Sequence, residues 1–316
     1  MDGNSMTSED FDEPSQTALS TEQANPASTA IDRMNPLEIV RLINAEDAKV
    51  SQAIELVLPN IARAIERIAE GMRRGGRLIY VGAGTSGRLG VLDASECPPT
   101  FGVLPDLIIG KIAGGSQALT TAIEGAEDSF EMGQADVAYL NIVAEDTLVG
   151  ITASGRTPYV LGAVTYAKIR GALTIGVACN ANTLLEREVE IMIAPRVGPE
   201  VIAGSTRLKA GTAQKMVLNM LSTGVMILQG KTYGNLMVDV QATNNKLRQR
   251  ATKIVQQITG VKQEEAETLL QQAEGETKIA IVAGHAHVTP EVARKELAAH
   301  GNILRDTLEA LEGKSL

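Results

Sequence analysis

Five short apolar segments, separated by longer stretches with helical patterning, constrain the fold of this chain more than any other feature. Each is bounded by Gly, Pro, Ser or Asn, and together they cover residues 78–81, 107–109, 147–151, 173–177 and 190–193. Strands that alternate with helices predict an α/β fold, with a parallel sheet covered by helices on both faces. Five strands joined by right-handed crossovers give a doubly wound, flavodoxin-like sheet. Because ligands bind beyond the carboxyl ends of such strands, the loops after residues 81 and 151 are the expected site.

Helical patterning flanks the predicted sheet in the sequence. A helix is expected near 47–72, where Pro59 should break or kink it, and a long helix is expected over about 203–229. From residue 244 onward only helical patterns occur, in segments 262–273, 276–283, 290–298 and 301–312. The sequence therefore predicts a disordered polar tail over residues 1–20, an α/β domain with N-terminal helices over 21–243, and a small C-terminal helical domain over 244–316.

Charge and composition exclude several classes of protein. The 316 residues carry a formal net charge of −9, whereas a general nucleic-acid or anionic-membrane binder needs a basic surface. Trp is absent and aromatic residues are only 3%, which argues against stacking on single-stranded nucleic acid. There is neither an apolar stretch long enough to span a membrane nor a basic, apolar leader. The two cysteines, Cys97 and Cys179, are expected to be reduced core thiols, and a cytoplasmic location is predicted.

The loop after the first predicted strand is rich in glycine and hydroxyl groups. It reads Gly82-Ala-Gly84-Thr85-Ser86-Gly87, which matches the bare dinucleotide-binding pattern. That pattern also needs a carboxylate at the end of the next strand, and none is present there, so dinucleotide binding is disfavoured. The same glycines, the two hydroxyls and a following helix N-terminus instead suit a phosphate. A strand-to-helix turn without a ligand remains the alternative.

A second hydroxyl-rich loop follows the third predicted strand. It reads Thr152-Ala-Ser154-Gly155-Arg156-Thr157, and Pro158 suits the first position of a helix. Two such loops at neighbouring strand ends can converge on one phosphate dianion. The sequence contains no Walker nucleotide motif, so a monophosphate is favoured over a triphosphate.

Two groups of carboxylates are candidates for acid–base chemistry. Glu96 adjoins Cys97 and two prolines, so partial burial could raise its pKa, although a surface glutamate in a loop is the alternative. Glu124 and Glu127 are three residues apart, a spacing that would place both on one helix face, where they could equally be solvated. The pair His285 and His287 lacks further residues at metal-ligand spacing, so no metal site is expected.

The segments around these residues resemble the N-acetylmuramic acid 6-phosphate etherases, a family of the sugar isomerase (SIS) domain superfamily. The matching segments are Gly82-Ala-Gly-Thr-Ser-Gly-Arg-Leu-Gly90, Asp93-Ala-Ser-Glu-Cys-Pro-Pro-Thr100, Glu124-Gly-Ala-Glu-Asp-Ser129, Ala153-Ser-Gly-Arg-Thr-Pro-Tyr159, Ser205-Thr-Arg-Leu-Lys-Ala-Gly-Thr-Ala-Gln214 and Asn235-Leu-Met-Val-Asp-Val240. The likeness spans roughly residues 20–315. Near Asp32 the sequence departs from the family pattern, and its N-terminal tail is longer than is typical of the family.

The resemblance implies one SIS domain, a small helical domain, a homodimer and a reaction without a metal or organic cofactor. It implies cleavage of the D-lactyl ether of N-acetylmuramic acid 6-phosphate, a lyase reaction that proceeds by elimination and then hydration. The catalytic glutamates of the family correspond to Glu96, the proton donor, and Glu127. The pattern of the superfamily implies that the phosphosugar contacts are Gly84, Thr85, Ser86, Thr152, Ser154, Gly155 and Thr157.

Two other functions fit a SIS domain. A phosphosugar-sensing regulator would bind its ligand without turnover and act through a partner, but no basic helix-turn-helix segment is found near the N-terminus. A phosphosugar isomerase would release no lactate. The presence of both glutamates favours the etherase.

Overall fold

The computed structural model describes residues 19–240 and 245–313. Five parallel strands form the sheet predicted from the sequence: β1 (Leu78–Gly82), β2 (Ile108–Ile112), β3 (Thr147–Ile151), β4 (Leu173–Val177) and β5 (Ile191–Ile193). Their spatial order is β2-β1-β3-β4-β5, which confirms the flavodoxin-like topology. Every residue of β1, β3 and β4 is buried, as expected for strands covered on both faces.

Helices cover the sheet and connect its strands. They are α1 (Pro36–Asp47), α2 (Lys49–Glu55), α3 (Leu58–Arg73), α4 (Gly84–Phe101), α5 (Phe130–Tyr139), α6 (Pro158–Ile169), α7 (Leu184–Glu188) and α8 (Lys209–Leu228). The predicted helix at 47–72 is interrupted near Pro59, as expected, and forms the two helices α2 and α3. Pro59 occupies the first turn of α3, where a proline is tolerated. The predicted helix at 203–229 begins only at Lys209, where the Glu200 carboxylate accepts hydrogen bonds from the backbone N–H groups of Lys209 and Ala210.

A buried ion pair ties α1 to α8. Lys209 Nζ lies 2.6 Å from Glu46 Oε2, and both side chains are almost fully buried. The other carboxylate oxygen of Glu46 accepts from Lys49, whose side chain is 57% exposed. Burial alone would raise the pKa of Glu46, but the hydrogen bonds and charges of Lys209 and Lys49 outweigh it and lower that pKa to about 2.

Acid is therefore expected to weaken the fold through Glu46. A carboxylate with a lowered pKa stabilises the folded chain fully above its ordinary value of 4.5, and this contribution of roughly 3 kcal/mol is lost as the pH falls toward 2. The free energy of unfolding is measured for the wild type and for Glu46→Gln from pH 6 to pH 3 by thermal unfolding. The difference between the two proteins should become smaller as the pH falls. A difference that stays constant with pH would contradict stabilisation by the ionised Glu46 carboxylate. The control Lys49→Gln should cost under about 1 kcal/mol, because the Lys49 side chain is 57% exposed and Glu46 keeps its buried partner Lys209.

A second compact unit is helical. It contains α9 (Asn245–Thr259), α10 (Gln263–Gln272), α11 (Thr277–Ala286), α12 (Pro290–Ala299) and α13 (Leu304–Gly313). The last four match the predicted C-terminal segments within a few residues, whereas no bounds were predicted for α9. Its core includes Val255, Ile281 and Leu297. A two-stranded antiparallel hairpin, β6 (Thr232–Tyr233) and β7 (Leu236–Met237), was not predicted, because two-residue strands leave no periodic signal.

The two compact units are not simple consecutive segments. Among the described residues, the α/β unit comprises those up to Ala94 together with Ile108–Leu221, and the helical unit comprises Ser95–Leu107 and those from Ser222 onward. The expected domain limits, 21–243 and 244–316, stay predictions, and residues 241–244 lie outside the described part. So does most of the predicted tail over 1–20, whereas Leu19 is buried in the fold.

Both cysteines are buried free thiols, as predicted. Among the helices of the described residues, none combines the length and apolarity needed to cross a bilayer.

Candidate active site

The site lies where the strand order of the sheet reverses. In the sheet β1 pairs with both β2 and β3, and the last residues of β1 and β3, Gly82 and Ile151, are partners in the register. The loops that follow them therefore start side by side, at the switch point where open α/β sheets bind ligands. They open onto a cavity of about 430 Å³. Its lining consists of Glu22, Ala83, Gly84, Thr85, Ser86, Glu127, Asp128, Thr152, Ala153, Ser154, Arg156, Thr157, Pro158 and Thr206.

The first loop passes directly into a helix. Gly84 opens α4, so Thr85 and Ser86 belong to its first turn, where backbone N–H groups have no partner within the helix. The Ser86 hydroxyl is buried and donates to Gln214 Oε1 at 2.9 Å. Its proton is thus directed at Gln214, and an anion at this turn would meet backbone N–H groups and the positive end of the helix dipole.

The second loop brings three hydroxyl groups together. Thr152 Oγ1 lies 2.7 Å from Thr157 Oγ1 and 3.2 Å from Ser154 Oγ, which also accepts from the backbone N–H of Arg156. The Thr152 side chain is buried, whereas Ser154 and Thr157 are half-buried. The chain of hydroxyls can orient its protons toward an anion in the cavity.

The tight turn of the second loop depends on Gly155. Its φ is +72°, and a Cβ there would lie 2.4 Å from Cβ of Thr183. No other residue type can adopt this conformation in that space without displacing the loop. The backbone N–H of Leu185 also donates to the Gly155 carbonyl, which fixes the turn against α7.

A second helix N-terminus faces the cavity beside these hydroxyls. Thr157 is the N-cap residue of α6, and Pro158 occupies the first position of that helix, as the sequence predicts. The positive ends of α4 and α6 thus both adjoin the hydroxyl groups, an arrangement that favours a dianion.

Glu127 lines the cavity, but the predicted helix face for Glu124 and Glu127 was wrong. Both residues lie in turns ahead of α5, in which Gly125 has a φ of +71°. The Glu127 carbonyl accepts from the backbone N–H of Tyr159 at 3.0 Å, which anchors the turn to α6. Helices α5 and α6 pack backbone to backbone, since a Cβ on Gly162 would lie 2.0 Å from the Phe130 carbonyl oxygen. The Glu127 side chain itself is exposed where it lines the cavity.

Glu96 is on a helix, not in the loop considered from the sequence. It lies near the end of α4, in the segment that belongs to the helical unit, and its side chain is exposed in the single chain. The partial burial expected beside Cys97 and the prolines is therefore not found. Cys97 is buried, and Pro98 and Pro99 are accommodated within the helix.

Four polar cavity residues were missed by reasoning from the sequence. Arg156, Asp128 and Thr206 stood inside the segments that resemble the family but were not assigned to the site. Glu22 and Thr206 come from segments far from any strand end, so position along the sheet gave no signal for them. The cavity thus contains three carboxylates and one guanidinium besides the hydroxyl groups.

Comparisons with known families agree with this fold. A SIS-domain family model matches residues 126–224, and the model of the glucokinase regulatory protein N-terminal SIS domain matches residues 60–168. The model of the C-terminal lid domain of glucokinase regulatory protein matches residues 234–280. A phosphoheptose isomerase from Francisella tularensis superposes with a TM-score of 0.50 at 20% identity, over 61% of this chain and 98% of that one. The α/β unit is therefore a SIS domain.

Similarity to named relatives extends over most of the chain. An N-acetylmuramic acid 6-phosphate etherase from Rhodopirellula baltica is 57% identical over 88% of this chain and 92% of its own length. A protein of the same name from Caldanaerobacter subterraneus subsp. tengcongensis is 56% identical over 88% of this chain and 91% of its own length. This chain belongs to the N-acetylmuramic acid 6-phosphate etherase family.

Proposed function

We propose that this protein cleaves the D-lactyl ether of N-acetylmuramic acid 6-phosphate with water, giving N-acetylglucosamine 6-phosphate and D-lactate. The convergence of two hydroxyl-bearing loops and two helix N-termini on one cavity, with Glu127 beside them, carries the proposal. Family membership at 57% identity supports it. The reaction class is a lyase, the setting is amino-sugar catabolism and cell-wall recycling in the cytoplasm, and the working form is a homodimer.

The 6-phosphate binds at the two loops in this proposal. Ser154 and Thr157 offer hydroxyl protons, and the first turn of α4 offers backbone N–H groups. The first turn of α6 adds only the positive end of its dipole, because its backbone N–H groups already donate to the carbonyls of Glu127 and Thr157. Holding the substrate by its phosphate positions the distant sugar carbons for reaction, so binding energy from a non-reacting group lowers the barrier at the reacting one.

The chemistry then follows from the open-chain sugar. Its C3 ether oxygen is β to the C1 aldehyde, so removal of the C2 proton gives an enolate that can expel lactate. Glu127 takes the C2 proton, and Glu96 gives a proton to the departing ether oxygen. Water next adds to C3 of the unsaturated aldehyde, and C2 is reprotonated. Two carboxyl groups suffice for these proton transfers.

Replacing Ser154 with alanine tests the phosphate contact. The change removes one hydroxyl from the network of Thr152 and Thr157, and a hydrogen bond to a charged group contributes about 1.5–3 kcal/mol. The Kd for N-acetylglucosamine 6-phosphate, measured by calorimetric titration, should rise roughly tenfold or more, with a smaller effect on kcat. Ser51→Ala, at an exposed serine on α2, is the control. Wild-type affinity in Ser154→Ala would count against phosphate binding at this loop.

Release of D-lactate from N-acetylmuramic acid 6-phosphate tests the function itself. The purified full-length chain should form D-lactate and N-acetylglucosamine 6-phosphate in equal amounts, and N-acetylmuramic acid without the phosphate should react far more slowly. Tight binding without lactate would favour a phosphosugar-sensing regulator. Two matching family models are named for a regulatory protein, glucokinase regulatory protein. A ketose or aldose phosphate as product would identify an isomerase.

A further inference from the structure

A short N-terminal segment, residues 19–25, forms part of the cavity wall. Asn180, which is buried just after β4, joins this segment to the second hydroxyl loop. Its side-chain oxygen accepts from both the backbone N–H and the hydroxyl of Ser20, each at 2.8 Å. Its amide nitrogen donates to Thr21 Oγ1 at 3.0 Å and to the Ala153 carbonyl at 2.9 Å. One buried amide therefore fixes the segment against the loop that carries Ser154.

Two more contacts hold the same segment in place. The Thr21 carbonyl accepts from the backbone N–H of Gly204 at 3.1 Å, which brings the chain leading to Thr206 to the cavity. Asn25 Nδ2 donates to the Pro199 carbonyl at 3.1 Å. Thr21 is fully buried, so the residue that follows it, Glu22, is presented from a fixed backbone.

The Glu22 carboxylate is not used to hold the fold together. Within residues 19–240 and 245–313, it takes part in no ion pair or side-chain hydrogen bond, and the side chain is exposed where it lines the cavity. An ionised carboxylate only accepts hydrogen bonds, so its partner must be a donor. The phosphate is an acceptor and repels it, whereas the hydroxyl groups and the acetamido N–H of the sugar are donors.

We propose that Glu22 is a sugar-recognition residue: its carboxylate accepts a hydrogen bond from a hydroxyl or amide N–H of the bound phosphosugar. This inference rests on the proposed function, because it takes the phosphosugar cavity as the substrate site. Glu22 selects a ligand that places a hydrogen-bond donor, a hydroxyl or an amide N–H, beside its carboxylate. The contact adds to binding and leaves the proton transfers to the two catalytic glutamates.

Titrations with two probes test this contact. Glu22→Gln and Glu22→Ala should raise the Kd for N-acetylglucosamine 6-phosphate, by roughly tenfold or more for alanine, because a charge-assisted hydrogen bond is lost. Neither change should weaken the affinity for inorganic phosphate, since the hydroxyl loops are unaltered. In turnover the KM should rise more than kcat falls. Glu55→Gln, which removes the same charge from an exposed position on α2, should leave both affinities unchanged.

Two results would overturn the assignment. Wild-type affinity for N-acetylglucosamine 6-phosphate in Glu22→Ala would show that no contact exists. An equal loss of affinity for the phosphosugar and for inorganic phosphate would show that the residue only maintains the loops. Failure of the proposed function is seen separately, because it appears in the wild-type chain as absent phosphosugar binding or absent lactate release.

Discussion

Glu96→Gln is expected to lower kcat for lactate release by roughly 10²–10⁴-fold, the usual contribution of one general acid or base. Lactate is a poor leaving group unless its ether oxygen is protonated, and the amide of glutamine is far too weak an acid to protonate it. The Kd for N-acetylglucosamine 6-phosphate should change little, because the phosphate contacts lie on the loops after β1 and β3. Glu96 is exposed on α4, so the isosteric change should leave the fold intact.

The control for Glu96→Gln is Glu265→Gln, a change at another exposed carboxylate of the helical unit. Its kcat should equal that of the wild type. The kcat of both variants is measured from the initial rate of D-lactate release. Near-normal lactate release by Glu96→Gln would remove Glu96 from the reaction.

Glu127→Gln is expected to have an effect of similar size for a different reason. As the base for the C2 proton, Glu127 acts before the ether bond breaks, so its loss should abolish both lactate release and exchange of the C2 proton with solvent. Glu96→Gln should still permit that exchange, because proton removal does not need the acid. Exchange of the C2 proton of N-acetylmuramic acid 6-phosphate in heavy water, followed by NMR, separates the two roles.

Glu124 provides a matched control for Glu127. It lies in the neighbouring turn, is also exposed, and is not one of the residues that line the cavity. Glu124→Gln should therefore retain wild-type exchange and turnover. Loss of exchange in Glu124→Gln, or normal exchange in Glu127→Gln, would exclude Glu127 as the base.

The sheet was predictable because its strands are short, apolar and separated by turn residues. Strands that are buried on both faces, such as 147–151 and 173–177, are largely apolar runs with polar or turn residues close to their ends. The structure places both strands at those residues. Helix limits were less accurate where tertiary contacts decide them. The start of α8 depends on Glu200, nine residues before Lys209, and no local pattern reports that capping.

The cavity was predictable in part for the same reason. Thr85 and Ser154 follow strands directly, so topology alone brings them to one edge of the sheet. Glu22 is held at that edge by contacts between its segment and Asn180, Pro199 and Gly204. These contacts join residues more than half the chain apart, and no spacing rule reveals them. The turn that presents Glu127 was misjudged because a three-residue spacing is equally compatible with a helix and with successive turns.

An isotope-labelling experiment, which shows which C–O bond breaks and whether the C2 proton exchanges, tests elimination followed by hydration most directly. The reaction is run in water enriched in ¹⁸O and deuterium, and both products are examined by mass spectrometry and NMR. Elimination followed by hydration places solvent ¹⁸O on C3 and deuterium on C2 of N-acetylglucosamine 6-phosphate, while lactate keeps its original ether oxygen. Solvent ¹⁸O in the lactate hydroxyl would mean direct displacement at the lactyl carbon, and solvent ¹⁸O on C3 with an unexchanged C2 proton would mean direct displacement at C3. Either result would contradict the proposed roles of Glu96 and Glu127.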